Sequence, residues 1–181
     1  MPRFYTGSGD KGETTLLGVR VSKDDVRVAA LGELDEANSM IGFARSFVKL
    51  PEVDTVLEKA QQDLFIIGLD VIAPLQNRSR VSEDMVKALE ERLDQLAKDL
   101  PDYRRFVLPN GSQEVASLYL ARSVVRRAER TIVKMSRSAP TLLPSVKYLN
   151  RLSSLLYVTA RYTALKTGVV EKEWVSSEEA T

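Results

Sequence analysis

Residues 51–74 read PEVDTVLEKAQQDLFIIGLDVIAP. Val53, Val56, Leu57, Ala60, Leu64, Ile67 and Val71 recur at steps of three and four, the spacing that puts apolar side chains on one face of an α-helix. Pro74 ends the pattern, because proline lacks the N–H that a helix interior needs. The stretch therefore predicts one long helix with a single buried stripe, and its period is that of the rest of the chain.

Upstream, Leu34, Ala37, Ile41, Ala44 and Val48 form an equivalent stripe, closed by Pro51. Downstream, PLQNRSRV predicts a loop, with Ser82 as N-cap of a helix carrying Val86, Leu89, Leu93, Leu96 and Leu100 and stopped by Pro101. The segment DYRRFVLPNGS holds Pro-Asn-Gly turn chemistry and offers Ser112 as the next N-cap. A long helix is predicted from about Gln113 to Met135, then a break at Pro140 and Pro144, then a fifth helix from about Ser145 to Thr167 with Gly168 as its C-cap. Five helices joined by short connections predict an all-α fold, a five-helix antiparallel bundle. The whole chain reads as a single domain, 1–181, divided into an irregular N-terminal segment (1–30), the bundle (31–168) and a tail (169–181). Trp174 in that tail is expected to dock on something, since a fully exposed Trp is uncommon.

Bulk composition excludes several function classes. The 181 residues are 44% hydrophobic and 28% charged, with a net charge of +1. No global field draws the chain to nucleic acid or to an anionic membrane, so any anion must be met by a local cluster. No apolar run approaches the roughly 20 residues of a membrane span, and no signal peptide is visible. A cytoplasmic location is expected by default. The chain has neither Cys nor His, which removes disulfides, thiolate nucleophiles and the commonest general base and metal ligand. A di-iron carboxylate bundle needs Glu-x-x-His pairs, so that reading fails.

One local cluster does stand out. In YLARSVVRRAERTIVK (119–134) a rotation of about 100° per residue puts Arg126 about 40° from Arg122, Glu129 about 20° to the other side and Arg130 about 80° away, with Arg127 pointing elsewhere. Neighbouring arginines repel, and a plain solvated face would interleave acids at four-residue steps. Guanidinium forks suit phosphate oxygens. The competing reading is a basic face paired with acids on a neighbouring helix. The N-terminal loop YTGSGDKGETTLLG adds weight to the first: Gly7, Gly9 and Gly12 permit close backbone approach, and amides and hydroxyls around Thr6, Ser8, Thr14 and Thr15 can form an anion nest. It matches neither the Walker loop nor the dinucleotide fingerprint. Loop and arginine helix together predict a polyphosphate site.

Five motifs in this order and spacing resemble the PduO-type ATP:cob(I)alamin adenosyltransferases: YTGSGDKGETTLLG, VAALGELDEANSMIGFA, FVLPNGS, ARSVVRRAER and YLNRLSSLLYVTAR, over residues 3 to about 165. The resemblance implies a trimer of ferritin-like five-helix bundles with ATP between subunits. It also implies a reaction in which cob(I)alamin attacks the 5′ carbon of ATP and expels triphosphate. Cobalt is the nucleophile there, so a protein without His or Cys is adequate, and the protein's task is placement and charge stabilisation. By position, the resemblance assigns ATP contacts to Thr6, Gly7, Ser8, Gly9, Thr14, Thr15 and Lys23, and to Arg126, Arg127, Glu129, Arg130 and Asn150. Arg126 and Lys23 are expected on phosphates, Glu129 on the nucleoside side, and Asn150 near the phosphates or their Mg²⁺, a metal held mainly by ATP itself rather than by protein side chains. Asp35 and Arg122 match an acid–base pair that works across the subunit interface beside the corrinoid. Phe106 matches an aromatic that presses on the lower corrin face and displaces the axial ligand of cob(II)alamin. A cobalamin reductase and a downstream mutase are the partners the family implies.

Each role has a plainer competitor: Phe106 as core, Asp35 as a surface cap, Asn150 bonded to a carbonyl, Glu129 neutralising its arginines, Thr14 and Thr15 as turn residues. A non-catalytic ATP- and corrinoid-binding sensor or delivery protein would use the same residues, and a purely structural bundle would bind no nucleotide. The chain departs from the family pattern at Ala37 (usually Leu), Asn110 (Gly), Tyr119 (often His) and Ser154 (an acid). The expectation for Asn110 is a left-handed turn residue, which Asn tolerates.

Overall fold

The computed structural model describes residues 5–74, 77–101 and 106–175. Parts of both connecting loops (75–76 and 102–105), the end of the tail from 176, and residues 1–4, where the family resemblance begins, lie outside the described residues. In chain order the elements are β1 (Glu13–Leu16), β2 (Val19–Ser22), α1 (Val26–Arg45), α2 (Pro51–Ile72), α3 (Glu83–Ala97), α4 (Gln113–Ser136), a 3₁₀ turn (Pro140–Leu142) and α5 (Leu143–Thr167).

The five helices form where the apolar periodicity places them, with two corrections: Pro144 does not break the chain but sits in the first turn of α5, where its missing N–H costs nothing, and α3 ends at Ala97, short of Leu100. α4 lies at the centre, packed on α1 and α5; α2 covers α1 and α3 covers α5. Every stripe residue of α2 named above is buried, as are Leu34, Ala37, Ile41 and Ala44 on α1 and Leu118, Ala121, Val125, Ala128 and Ile132 on α4. Each fully buried Leu or Ile contributes roughly 1.5–3 kcal/mol, so this shared stripe is what fixes the helices in place. Ser82 accepts from the Met85 amide and Ser112 from the Val115 amide, satisfying first-turn donors that no helical carbonyl reaches. Gly168 ends α5 in the left-handed conformation, φ 71°.

The N-terminal segment corrects the expectation of an irregular first thirty residues. β1 and β2 pair as an antiparallel hairpin, Glu13 opposite Ser22 and Leu16 opposite Val19. Its two-residue turn is Leu17-Gly18, with φ of 47° and 83°. Positive φ at both positions is the primed turn whose twist suits a hairpin. The first helix also begins earlier than expected, at Val26, because Asp25 caps it by accepting from the Arg27 amide at 2.8 Å. No helix among the described residues is long and apolar enough to cross a membrane.

Candidate functional site

The glycine loop folds onto its own hairpin. Gly7 and Gly12 have φ of 70° and 79°, and the amides of Asp10 and Gly12 donate back to the carbonyls of Gly7 and Gly9. The hydroxyls of Thr6 and Ser8 lie 2.7 Å apart. Lys23 comes to the same place from the end of the hairpin: a Cβ built on Gly9 would sit 3.1 Å from the Lys23 ammonium. Thr6, Gly7, Ser8, Gly9 and Lys23 thus converge, with Thr14 and Thr15 following on β1. Arg20 locks this arrangement by donating to the Ser8 carbonyl and to Glu13. Among the described residues, no hydrogen bond or ion pair joins residues 5–22 to any of the five helices.

The arginine row of α4 divides by direction. Arg126 and Arg130 are exposed; Arg130 donates to the Arg126 carbonyl, and neither guanidinium has an acidic partner among the described residues. Arg127 turns to α1 and pairs with Glu36, an acid that the sequence reading did not connect with it. Glu129 turns to α5, where the Asn150 amide nitrogen donates to it at 3.0 Å. The Asn150 oxygen in turn accepts from Arg151, whose Nε donates to Glu90 on α3. Arg122 lies over the ring of Tyr157, 5.5 Å from its centroid, and does not meet Asp35 within the chain. Asp35 is exposed, at the rim of an apolar groove of about 410 Å³ between α1 and α2 floored by Leu34, Leu64 and Gly68.

Phe106 is 80% exposed, which rules out the core competitor. Its segment is held by the tail. Leu108 donates its N–H to the Lys172 carbonyl at 2.8 Å, and Trp174 donates its own to the Phe106 carbonyl at 2.7 Å. Over its described residues the tail has no helix or strand beyond the single Val107–Glu173 bridge, yet these bonds hold it in place. Trp174 docks through its backbone, while its side chain stays half exposed. Beneath, Glu171 accepts from the Tyr119 hydroxyl (3.1 Å) and from Arg161 Nε (3.3 Å). Burial, and then the Glu171 carboxylate, push the Tyr119 phenol well above its usual range.

The departures find local explanations. Asn110 is not in the left-handed region; the residue that is, Gly111 (φ 128°), has kept its glycine, and a Cβ there would meet Val169 at 3.0 Å. Ser154 donates to the Asn150 carbonyl of its own helix. Tyr119 is buried and is the donor to Glu171. Ala37 is fully buried on α1.

A sequence model described as cobalamin adenosyltransferase matches residues 4–163. The chain belongs to the cobalamin adenosyltransferase family. It is 34% identical to the corrinoid adenosyltransferase of Bacillus subtilis, across 97% of this chain and 93% of that protein. It is 40% identical to that of Mycobacterium tuberculosis, across 89% and 88%. Its structure is similar to a phenylalanine-to-alanine variant of the PduO-type ATP:corrinoid adenosyltransferase of Lactobacillus reuteri complexed with cobalamin and ATP, at a TM-score of 0.87, 32% identity and coverage of 96% of this chain and all of that one. An arginine-to-lysine variant of the same enzyme complexed with ATP gives a TM-score of 0.84 at 33% identity, over 95% of this chain and all of that one. Family membership gives the five-helix bundle, its glycine loop and its arginine helix a common context.

Proposed function

We propose that this chain transfers the 5′-deoxyadenosyl group of ATP to the cobalt of cob(I)alamin. The Co–C5′ bond forms as the C5′–O bond breaks, and the electron pair leaves with inorganic triphosphate. The observation that carries the reading is a separation of parts: among the described residues, a glycine cradle has no hydrogen bond or ion pair to its own helices, and two exposed guanidiniums on α4 have no acidic partner. Each is half of a polyphosphate site. A homotrimer in which the cradle of one subunit faces α4 of the next would complete it, and the same arrangement would let Asp35 meet Arg122 across the seam.

The residues then divide the work. Lys23 and the amides of the cradle hold the phosphates, and Arg126 and Arg130 stabilise the charge that grows on the leaving triphosphate, which is where preorganised donors lower a barrier most. Glu129, oriented by Asn150, faces the nucleoside. Arg127, already paired with Glu36, acts by holding α1 against α4 and by adding positive potential. Phe106, exposed on its connection, is available to press on the lower corrin face. Mg²⁺ fits here as a companion of the phosphate oxygens, with Asn150 nearby.

The test is direct. Protein incubated with ATP, Mg²⁺ and chemically reduced cobalamin should yield adenosylcobalamin and triphosphate, and a folded protein giving neither overturns the reading. Arg126→Ala should lower kcat by about 10²–10³-fold, the usual cost of removing one donor to a developing anion; unchanged turnover would refute that role.

A further inference from the structure

Phe106 stays outside the buried core. Its ring is 80% exposed, and the bonds on its segment come from the C-terminal tail. Val107 faces Glu173 as an antiparallel pair, flanked by the Leu108-to-Lys172 and Trp174-to-Phe106 backbone bonds. That tail is itself anchored at two points. Gly168 reverses the chain and Val169 donates to the Ala164 carbonyl while packing on Gly111. Glu171 is then fixed by Tyr119 from α4 and Arg161 from α5, with the Arg161 and Glu171 side chains only 8% and 10% exposed. A buried ion pair that also accepts from a phenol is a stiff attachment. Tyr119, one of the chain's departures from the family pattern, is thereby given a task.

We propose that residues 169–175 are a positioning strap for Phe106, pinned at Glu171 and tied by the Trp174 N–H. The proposal rests on the reading of Phe106 as the ring that presses on the lower corrin face. Pressing a ring against a ligated cobalt needs a segment that does not yield, and displacement of a reacting group by about 1 Å can cost about 10²-fold in rate. Glu171 and Trp174 act through Phe106 and are positioning residues, with no contact of their own to substrate.

The experiment uses the full chain in four variants: Trp174→Pro, which deletes the donor to Phe106; Trp174→Ala, which keeps it; Glu171→Ala; and Phe106→Ala as the benchmark. Two readouts are taken, kcat against KM for ATP, and the electron paramagnetic resonance of cob(II)alamin bound with ATP, which reports loss of the axial ligand. Trp174→Pro and Glu171→Ala should match Phe106→Ala: the ligand-free signal is lost and kcat falls by about tenfold to a hundredfold, with KM for ATP unchanged. Trp174→Ala should keep both signal and rate. Circular dichroism checks folding, and the exposed, near-terminal Trp174→Pro decides the matter where Glu171→Ala fails to fold. Wild-type signal and rate in Trp174→Pro, with Phe106→Ala impaired, overturn the strap alone. An inert Phe106→Ala overturns it too. A wild-type protein with neither turnover nor ligand-free signal overturns the proposed function, and the strap's role with it.

Discussion

Deleting one oxygen atom from the middle of the bundle should be costly. Tyr148 on α5 is fully buried, and its hydroxyl donates to Asp63 on α2 at 2.8 Å. Asp63 is itself 2% exposed, and its other oxygen pairs with Lys59. Burial, and then the neighbouring carboxylate, hold the phenol far above its usual range, so it stays a donor at any working pH. Tyr148→Phe leaves a buried carboxylate oxygen without its partner, a loss of about 1.5–3 kcal/mol for a hydrogen bond to a charged group. In a chain of this length about 1 kcal/mol moves the melting temperature by roughly 2–4 °C, so the variant should melt about 3 to 12 °C lower. Thermal unfolding is compared at matched protein concentration, because assembly shifts apparent stability by mass action. Asp63→Leu placed in the Tyr148→Phe background should recover much of the loss, since removing both partners of a buried bond is nearly neutral, and Lys59, more than half exposed, can return to water. A single variant melting within about 1 °C of wild type, or a double variant less stable than the single, refutes the account.

Other outcomes follow from the same structure. Gly111→Ala forces a side chain into φ 128° and against Val169 at 3.0 Å; strain of about 1–3 kcal/mol should appear as a lower melting temperature, whereas Asn110→Gly, outside the left-handed region, should change little. Asp25 is held at about 2, below its ordinary 3.8, first by the Arg27 side-chain hydrogen bond and then by the Arg27 amide. A depressed carboxylate contributes stability that is present above its unfolded value and lost as pH falls from about 3.8 towards about 2. Melting curves across that range should therefore decline less steeply for Asp25→Asn, which keeps the cap but not the titration. Glu36→Gln breaks the partly exposed pair with Arg127, whose side chains are 43% and 52% exposed; it should leave the urea unfolding midpoint nearly unchanged, and a clear drop would mean that the pair holds α1 to α4 more firmly than its exposure implies.

The helices were legible because each buries one stripe, and a stripe of period 3.6 survives in sequence whatever the partner is. Ser82, Ser112 and Gly168 were legible for a local reason too, since caps are chosen by the backbone beside them. The hairpin was not. Its turn places Leu17 at a positive φ where Asn or Asp is usual, so the strongest short-range signal for two paired strands was missing. Asp25 was a readable N-cap that the apolar count overshadowed. In the candidate site, the arginine row was visible as a charge excess, but its division was not: Glu36 and Asn150, which turn Arg127 and Glu129 apart, come from other helices. The hold of the tail on Phe106 was equally hidden. It depends on Tyr119, Arg161 and Glu171 meeting in space, and on backbone bonds that carry no sequence signature.

Asn150 reads polarity on both sides at once. Its nitrogen faces the Glu129 carboxylate and its oxygen faces the Arg151 guanidinium, so a rotated amide would set donor against donor and acceptor against acceptor. Because Arg151 is also fastened to Glu90, the rotamer of Glu129 is governed from a helix that contributes none of the candidate ligand-contacting side chains. Surface substitutions on α3 can therefore reach the Glu129 carboxylate, proposed above to face the nucleoside, through two intervening side chains.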